Sequence, residues 1–214
     1  MTEKKSNKKL RVQFKLKQFG KYFRELSIIT LGIAITLAVG AWISKANEKR
    51  ELSEYLNIVK MELEENIKYI ERETERVELM ISYTKFLNST DKNSISPDSI
   101  GKYWDVIGNI SRFAFTRNAF DMFQASGMMR LVADKELLLK LWETYNDFST
   151  AETSLNMIIE FKREELFAEL RNPPSDGIPM RLFYQAGIPR TILNALNIVK
   201  KQAMETLERL EQEG

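Results

Sequence analysis

Hydrophobic and polar positions follow three rhythms along the chain. Leu26 to Ser44 (LSIITLGIAITLAVGAWIS) holds nineteen residues without a charge, bracketed by Glu25 and Lys45. A helix of that length spans about 28 Å, against a hydrocarbon core of about 30 Å. Ser27, Thr30, Thr36 and Ser44 are its polar residues, too few to form the wet side of a soluble helix. The pattern predicts a transmembrane helix over 25–44, with Tyr22 and Trp42 near its ends as interfacial aromatics.

The second rhythm begins just beyond. Leu52, Leu56, Val59, Leu63, Asn66, Ile70, Glu73, Val77, Met80, Thr84 and Leu87 recur at 4-3 spacing, the seam of a heptad pattern. No Gly or Pro interrupts Ala41–Asn88, so the membrane helix is expected to continue as a long charged helix over 45–88. Two arrangements satisfy the seam. One is a parallel coiled-coil homodimer with Asn66 fixing the register; the other is cover by later helices of the same chain. Asn66 and Glu73 in mid-seam weaken a tight two-stranded coil and favour the intramolecular arrangement.

Residues 89–214 carry shorter helical patterns between turn signals. Asn88–Ser96 is a polar loop, and Ser96-Pro97-Asp98 then reads as a cap, a first-turn Pro and a first-turn acid. They open a helix over about 97–109 that contributes Ile100, Tyr103, Trp104 and Ile107. A helix over 114–126 offers Phe115, Ala119, Phe120 and Phe123, with Gly127 placed to terminate it. Asp134 caps a long segment to Arg171 that lacks Gly and Pro, with Ser149-Thr150 as a candidate kink or break. Asn172–Gly177 is a loop, and Arg181–Ala186 a short helix ended by Gly187. Pro189 opens a final helix with Ile192, Leu196, Val199, Ala203 and Leu207 or Leu210 on one face. The expected fold class is all-α: a transmembrane helix running into a long helix that packs in an extracytoplasmic helical bundle.

Charge orients this picture. The net charge of +2 conceals a tail, residues 1–24, with nine bases and one acid. Residues 45–60 have four bases and three acids, and residues 45–214 together carry −5. The positive-inside rule then puts the N-terminus in the cytoplasm and residues 45–214 outside it; the expected location is the cell inner membrane, with residues 45–214 periplasmic or extracytoplasmic. Four parts follow: a basic cytoplasmic tail (1–24), a transmembrane helix (25–44), a charged heptad-like helix (45–88) and the remainder of the bundle (89–214). A cleavable signal peptide competes with the anchor, because Ala38-Val39-Gly40 is an acceptable cleavage site. The long basic region and the full-length span favour an uncleaved anchor.

Within the tail, Val12, Leu16, Phe19 and Phe23 share one helical face, although Leu10–Lys17 also alternates with period two. Beside a membrane, the helical reading makes Lys8, Lys9, Arg11, Lys15, Lys17, Lys21 and Arg24 candidates for lipid headgroups. Inside the span, Gly32, Thr36 and Gly40 form a small-xxx-small ridge, a candidate surface for packing against another membrane helix.

Glu25, Ile28-Ile29, Leu31-Gly32-Ile33, Ile35 and Leu37, then Trp42, then Tyr55-Leu56, Glu62-Leu63 and Asn66 compose a longer pattern. It resembles a family of single-pass membrane proteins found mainly in Bacteroidota and catalogued as a domain of unknown function. A weaker similarity continues at Phe120–Leu131. Around the Trp this chain has Gly40-Ala41-Trp42-Ile43-Ser44, where that family usually has Asn-Asn-Trp-Asn-Glu. The resemblance implies single-pass topology and membrane location; it implies no mechanism.

Composition removes most chemistry. There is no His and no Cys, which excludes imidazole catalysis, His-ligated metals, thiolate nucleophiles and disulfides. Helical di-iron sites require Glu-x-x-His, so the many carboxylates do not read as one. Glu62, Glu64, Glu65, Glu71, Glu73, Glu75 and Glu78, and Glu160, Glu164, Glu165 and Glu169, alternate with bases and read as solvated faces. No phosphate loop or nucleophile elbow is present. No catalytic residue, cofactor or metal ligand is assigned, and no nucleic-acid partner is expected. The expected partners are the lipid bilayer, a second copy through the membrane helix or heptad seam, and an envelope protein that the sequence does not identify. The expected function is partner binding or envelope scaffolding without catalysis. The alternative is an extracytoplasmic ligand-sensing domain with Trp104, Phe120, Trp142 and Tyr145 around a pocket.

Overall fold

The computed structural model describes residues 3–90, 94, 112–171 and 187–213; among these, it describes the side chains of all but residues 3–21, 87–88, 162, 165–167, 169–170, 187 and 213. The helices expected over 97–109 and 181–186 lie outside the described residues. Those described are all-helical apart from turns and one non-helical strap. Helix α1 spans Glu3–Ser89, α2 Asn118–Ala125, α3 Lys135–Arg171 and α4 Gly187–Glu213; a short 3-10 turn, Met128–Leu131, joins α2 to α3. Two compact units emerge, Met1–Glu51 and Leu52–Gly214.

The first unit is a stretch of α1 alone. Its large apolar side chains from Leu26 to Ile43 are each 48–73% exposed. The hydroxyls of Ser27, Thr30 and Thr36 donate to the carbonyls of Phe23, Leu26 and Gly32, four residues back. These three hydroxyls are thus paired within the helix, and the stretch is long and apolar enough to cross a bilayer.

The second unit packs α1 from Leu52 onward with α2, α3 and α4. Seven seam positions, Val59, Leu63, Asn66, Ile70, Val77, Met80 and Thr84, are buried; Leu52, Leu56 and Glu73 are half-buried. The seam is covered by the chain's own later segments, and Glu62 and Ile67 widen it. Helix α4 buries Ile192, Leu196, Val199, Ala203 and Leu210, the face its spacing predicts, with Leu207 half-buried beside them.

Ion pairs fix the directions. Lys60 meets Glu211 at 2.8 Å and Lys200 meets Glu71 at 2.9 Å, so α4 runs antiparallel to α1. Arg209 meets Asp134 and Glu136, and Lys140 meets Glu205, so α4 is antiparallel to α3 as well. Helices α1 and α3 thus run parallel. A buried hydrogen bond of 2.8 Å joins Thr144 to Thr206 between α3 and α4.

The local signals act as physical stops and starts. Asp134 accepts from the Glu136 and Leu137 amides at 2.9 and 3.1 Å and caps α3. Gly127 takes φ +71° after α2, a conformation that side chains disfavour. Three boundaries differ from the expectation. Helix α3 is one element through Ser149-Thr150, where the hydroxyl of Thr150 donates to the Asn146 carbonyl instead of breaking the helix. Gly187 is the first described residue of α4, which thus includes the two residues before the expected opening at Pro189. Helix α2 starts at Asn118 rather than 114, because residues 112–117 are not helical and bury Phe113 and Phe115 at alternate positions.

Candidate functional site

A non-helical segment among helices lacks a ladder partner, so its backbone groups must find side chains. The strap Arg112–Arg117 finds them on both flanking helices. From α3, the Asn156 side chain accepts from the Phe113 amide and donates to the Phe113 carbonyl, both at 2.9 Å. From α1, Asn66 makes the same two-way clasp on Thr116, donating to its carbonyl at 2.8 Å and accepting from its amide at 3.0 Å. Asn66 also accepts from the Thr116 hydroxyl at 3.0 Å. Between these clasps the Ala114 amide donates to the Tyr69 hydroxyl at 3.4 Å, and the Phe115 amide to Glu152 at 3.1 Å. The four consecutive amides from Phe113 to Thr116 are paired, alternately by α3 and α1.

Where the strap becomes α2, Glu62 takes over. Its carboxylate accepts from the Ala119 amide at 2.8 Å and the Phe120 amide at 3.3 Å, two orphan donors of the first helical turn. Arg117, the residue at the cap position, has no capping side chain, so α2 is capped by an acid 57 residues distant. The Tyr145 hydroxyl donates to the same carboxylate at 2.8 Å. Burial, and then the Glu62 carboxylate, push the Tyr145 phenol far above its ordinary pKa, so it stays a donor. Burial also raises Tyr69, against the opposing pull of the Ala114 amide.

Aromatic rings fill the remaining space. Phe120 stacks on Tyr145 with centroids 4.2 Å apart, Phe115 stacks on Phe148 at 4.8 Å, and Tyr69 meets the Phe115 edge at 5.7 Å. Of the four proposed pocket aromatics, Phe120 and Tyr145 therefore occupy each other's faces. Trp142 is 53% exposed on α3, and Trp104 lies outside the described residues. A small depression of about 200 Å³ opens beside the strap, lined by Thr116, Arg117, Ser149, Glu152 and neighbouring rings.

The carboxylates separate into two kinds. Glu65, Glu71, Glu75, Glu78 and Glu164 are exposed, and Glu160 pairs with Arg112 and Arg163 at the surface. The Arg112 guanidinium holds the Glu160 carboxyl below its usual range. Glu62 departs from the expected solvated face because it is needed inside. Among the described residues no three acidic side chains gather as a metal would require.

In the uncharged stretch, Gly32, Thr36 and Gly40 are exposed, and a Cβ added at either glycine meets nothing within 4 Å. Lys8, Lys9, Arg11, Lys15, Lys17 and Lys21 lie on α1 with side chains outside those described; Arg24 is exposed. Sequence reasoning placed Asn66 and the aromatics in the core but did not join Glu62, Tyr69, Glu152 and Asn156 to the strap. One signal lies in the sequence: Glu62 flanks the apolar seam one turn before Asn66, the polar residue within it. No protein-family model, curated protein or solved structure matches this chain.

Proposed function

We propose that the chain is a single-pass membrane protein with a cytoplasmic N-terminus, and that its outer helical unit binds a protein partner or stiffens an envelope assembly without catalysis. The observation that carries this reading is the uncharged run Leu26–Ser44, whose apolar side chains are exposed among the described residues. Exposed apolar surface on that scale calls for lipid or another protein. The basic tail supplies the orientation, and the Bacteroidota family resemblance agrees with a single span. The polar side chains gathered in the outer unit are spent on holding backbone, which suits a rigid binding or scaffolding unit.

Cysteine labelling tests it directly, since the chain has none of its own. Ser6→Cys and Ser94→Cys variants are treated on intact cells with a membrane-impermeant maleimide. Labelling at 94 and protection at 6 are expected. Labelling at 6 with protection at 94 reverses the topology, and recovery of the chain in the soluble fraction removes the anchor.

A further inference from the structure

The depression beside the strap has an unbalanced lining. Its apolar part comes from the rings of Phe115, Tyr145 and Phe148, and its polar part is dominated by oxygen. Glu152 uses Oε2 to accept from the Phe115 amide, and its Oε1 has no partner among the described residues. The Thr116 hydroxyl donates to Asn66 and the Thr153 hydroxyl to the Ser149 carbonyl, so each has only lone pairs left for a ligand. Arg117, the cation in the lining, is neutralised by Asp121, which accepts from its guanidinium at 3.0–3.2 Å. What remains is one carboxylate among spare acceptors and aromatic rings.

We propose that this depression binds a small primary ammonium ion, whose N–H groups bond to Glu152 Oε1 and the threonine oxygens while a short alkyl chain lies against the rings. An ammonium has three donors and no acceptor, the complement of this lining. An anionic ligand meets the Glu152 charge with its own, and an alkane leaves that carboxylate desolvated and unbonded. Aromatic rings favour a cation beside them. At about 200 Å³ the depression lies below the roughly 300–1,000 Å³ of sites for drug-sized ligands, so the cation is small. Every residue of the site belongs to the Leu52–Gly214 unit, so the site does not depend on a membrane anchor.

Isothermal titration of the full-length protein in nonionic micelles with butylammonium chloride tests this. Saturable one-site binding is expected, and none from butan-1-ol, the uncharged counterpart. Glu152→Gln removes the charge and keeps an oxygen for the Phe115 amide. Ser149→Leu puts bulk into the depression from an exposed helical position and leaves the strap's hydrogen bonds alone. Each is expected to weaken binding about tenfold or more. Thermal melting shows which variants keep the fold, and Ser149→Leu decides if Glu152→Gln does not. No saturable binding to the native chain, equal binding of butan-1-ol, or native affinity in either folded variant overturns the proposal.

Discussion

The Tyr145 hydroxyl and the Glu62 carboxylate meet at 2.8 Å inside the bundle, joining α3 to α1 through the acid that caps α2. One carboxylate thus serves three donors from two elements. Both side chains are almost wholly buried, so removing one partner leaves the others facing apolar surroundings.

Tyr145→Phe keeps the ring that stacks on Phe120 and removes only the hydroxyl. A hydrogen bond to a charged group is worth about 1.5–3 kcal/mol, and that loss is expected in the stability of the Leu52–Gly214 unit. Glu62→Gln is expected to cost at least as much, since its amide nitrogen turns a donor toward the Ala119 or Phe120 amide. At about 2–4 °C per kcal/mol for a chain of this size, thermal unfolding of the full-length protein in micelles checks both. Unchanged melting in Tyr145→Phe would show that the contact contributes nothing.

Asn66 and Asn156 grip one strap from opposite helices, and their effects are expected to be coupled. Asn66→Asp keeps the acceptor for the Thr116 amide but loses the donor to its carbonyl, and Asn156→Asp does the same at Phe113. Each is expected to destabilise by about 1–3 kcal/mol through an unsatisfied backbone group. The double variant is expected to lose less than the sum, because a strap freed at one clasp has less to lose at the other. Denaturant midpoints of the four chains measure the cycle; strict additivity would mean that the strap is not a mechanical unit.

The helical faces were legible because they are periodic. The seam from Val59 to Thr84 and the face from Ile192 to Leu210 lie where 4-3 spacing places them. The strap was not legible, and the reason is local. Phe115, Ala119, Phe120 and Phe123 suit a helix by spacing, and nothing nearby says that 112–117 is not helical. What holds it there comes from Asn66, Tyr69, Glu152 and Asn156, 37–50 residues away in sequence. Long-range side-chain-to-backbone bonds carry no periodic signature, whereas Asp134, which caps amides two and three residues on, was readable.

Acid is expected to loosen the end of the bundle where α3 starts and α4 finishes. Arg209 bonds Asp134 at 2.7 Å and, with the two capping amides, holds the Asp134 carboxyl below its ordinary value of 3.8. A depressed folded-state pKa contributes stability that is fully present above the unfolded value and is lost as pH falls through the folded one. Between pH 5 and the acid limit, the native chain is therefore expected to lose more stability than Asp134→Asn, which keeps a capping oxygen but cannot ionise. Parallel pH-stability curves for the two chains would disprove the linkage.

The glycine ridge separates folding from association. A Cβ at Gly32 or Gly40 meets nothing within 4 Å, so a side chain there starts out into open space among the described residues. Gly32→Leu and Gly40→Leu are thus expected to leave recovery in the membrane fraction and the melting of the Leu52–Gly214 unit unchanged. If a second helix packs on this face, the same leucines hold the two backbones apart, because close approach there depends on small residues. Energy transfer between fluorescently tagged copies in membranes is expected to fall in both variants and to be retained in Leu37→Ala, a change off the ridge. Equal transfer in all of these chains would leave the ridge facing lipid, and any dimer would then have to form elsewhere.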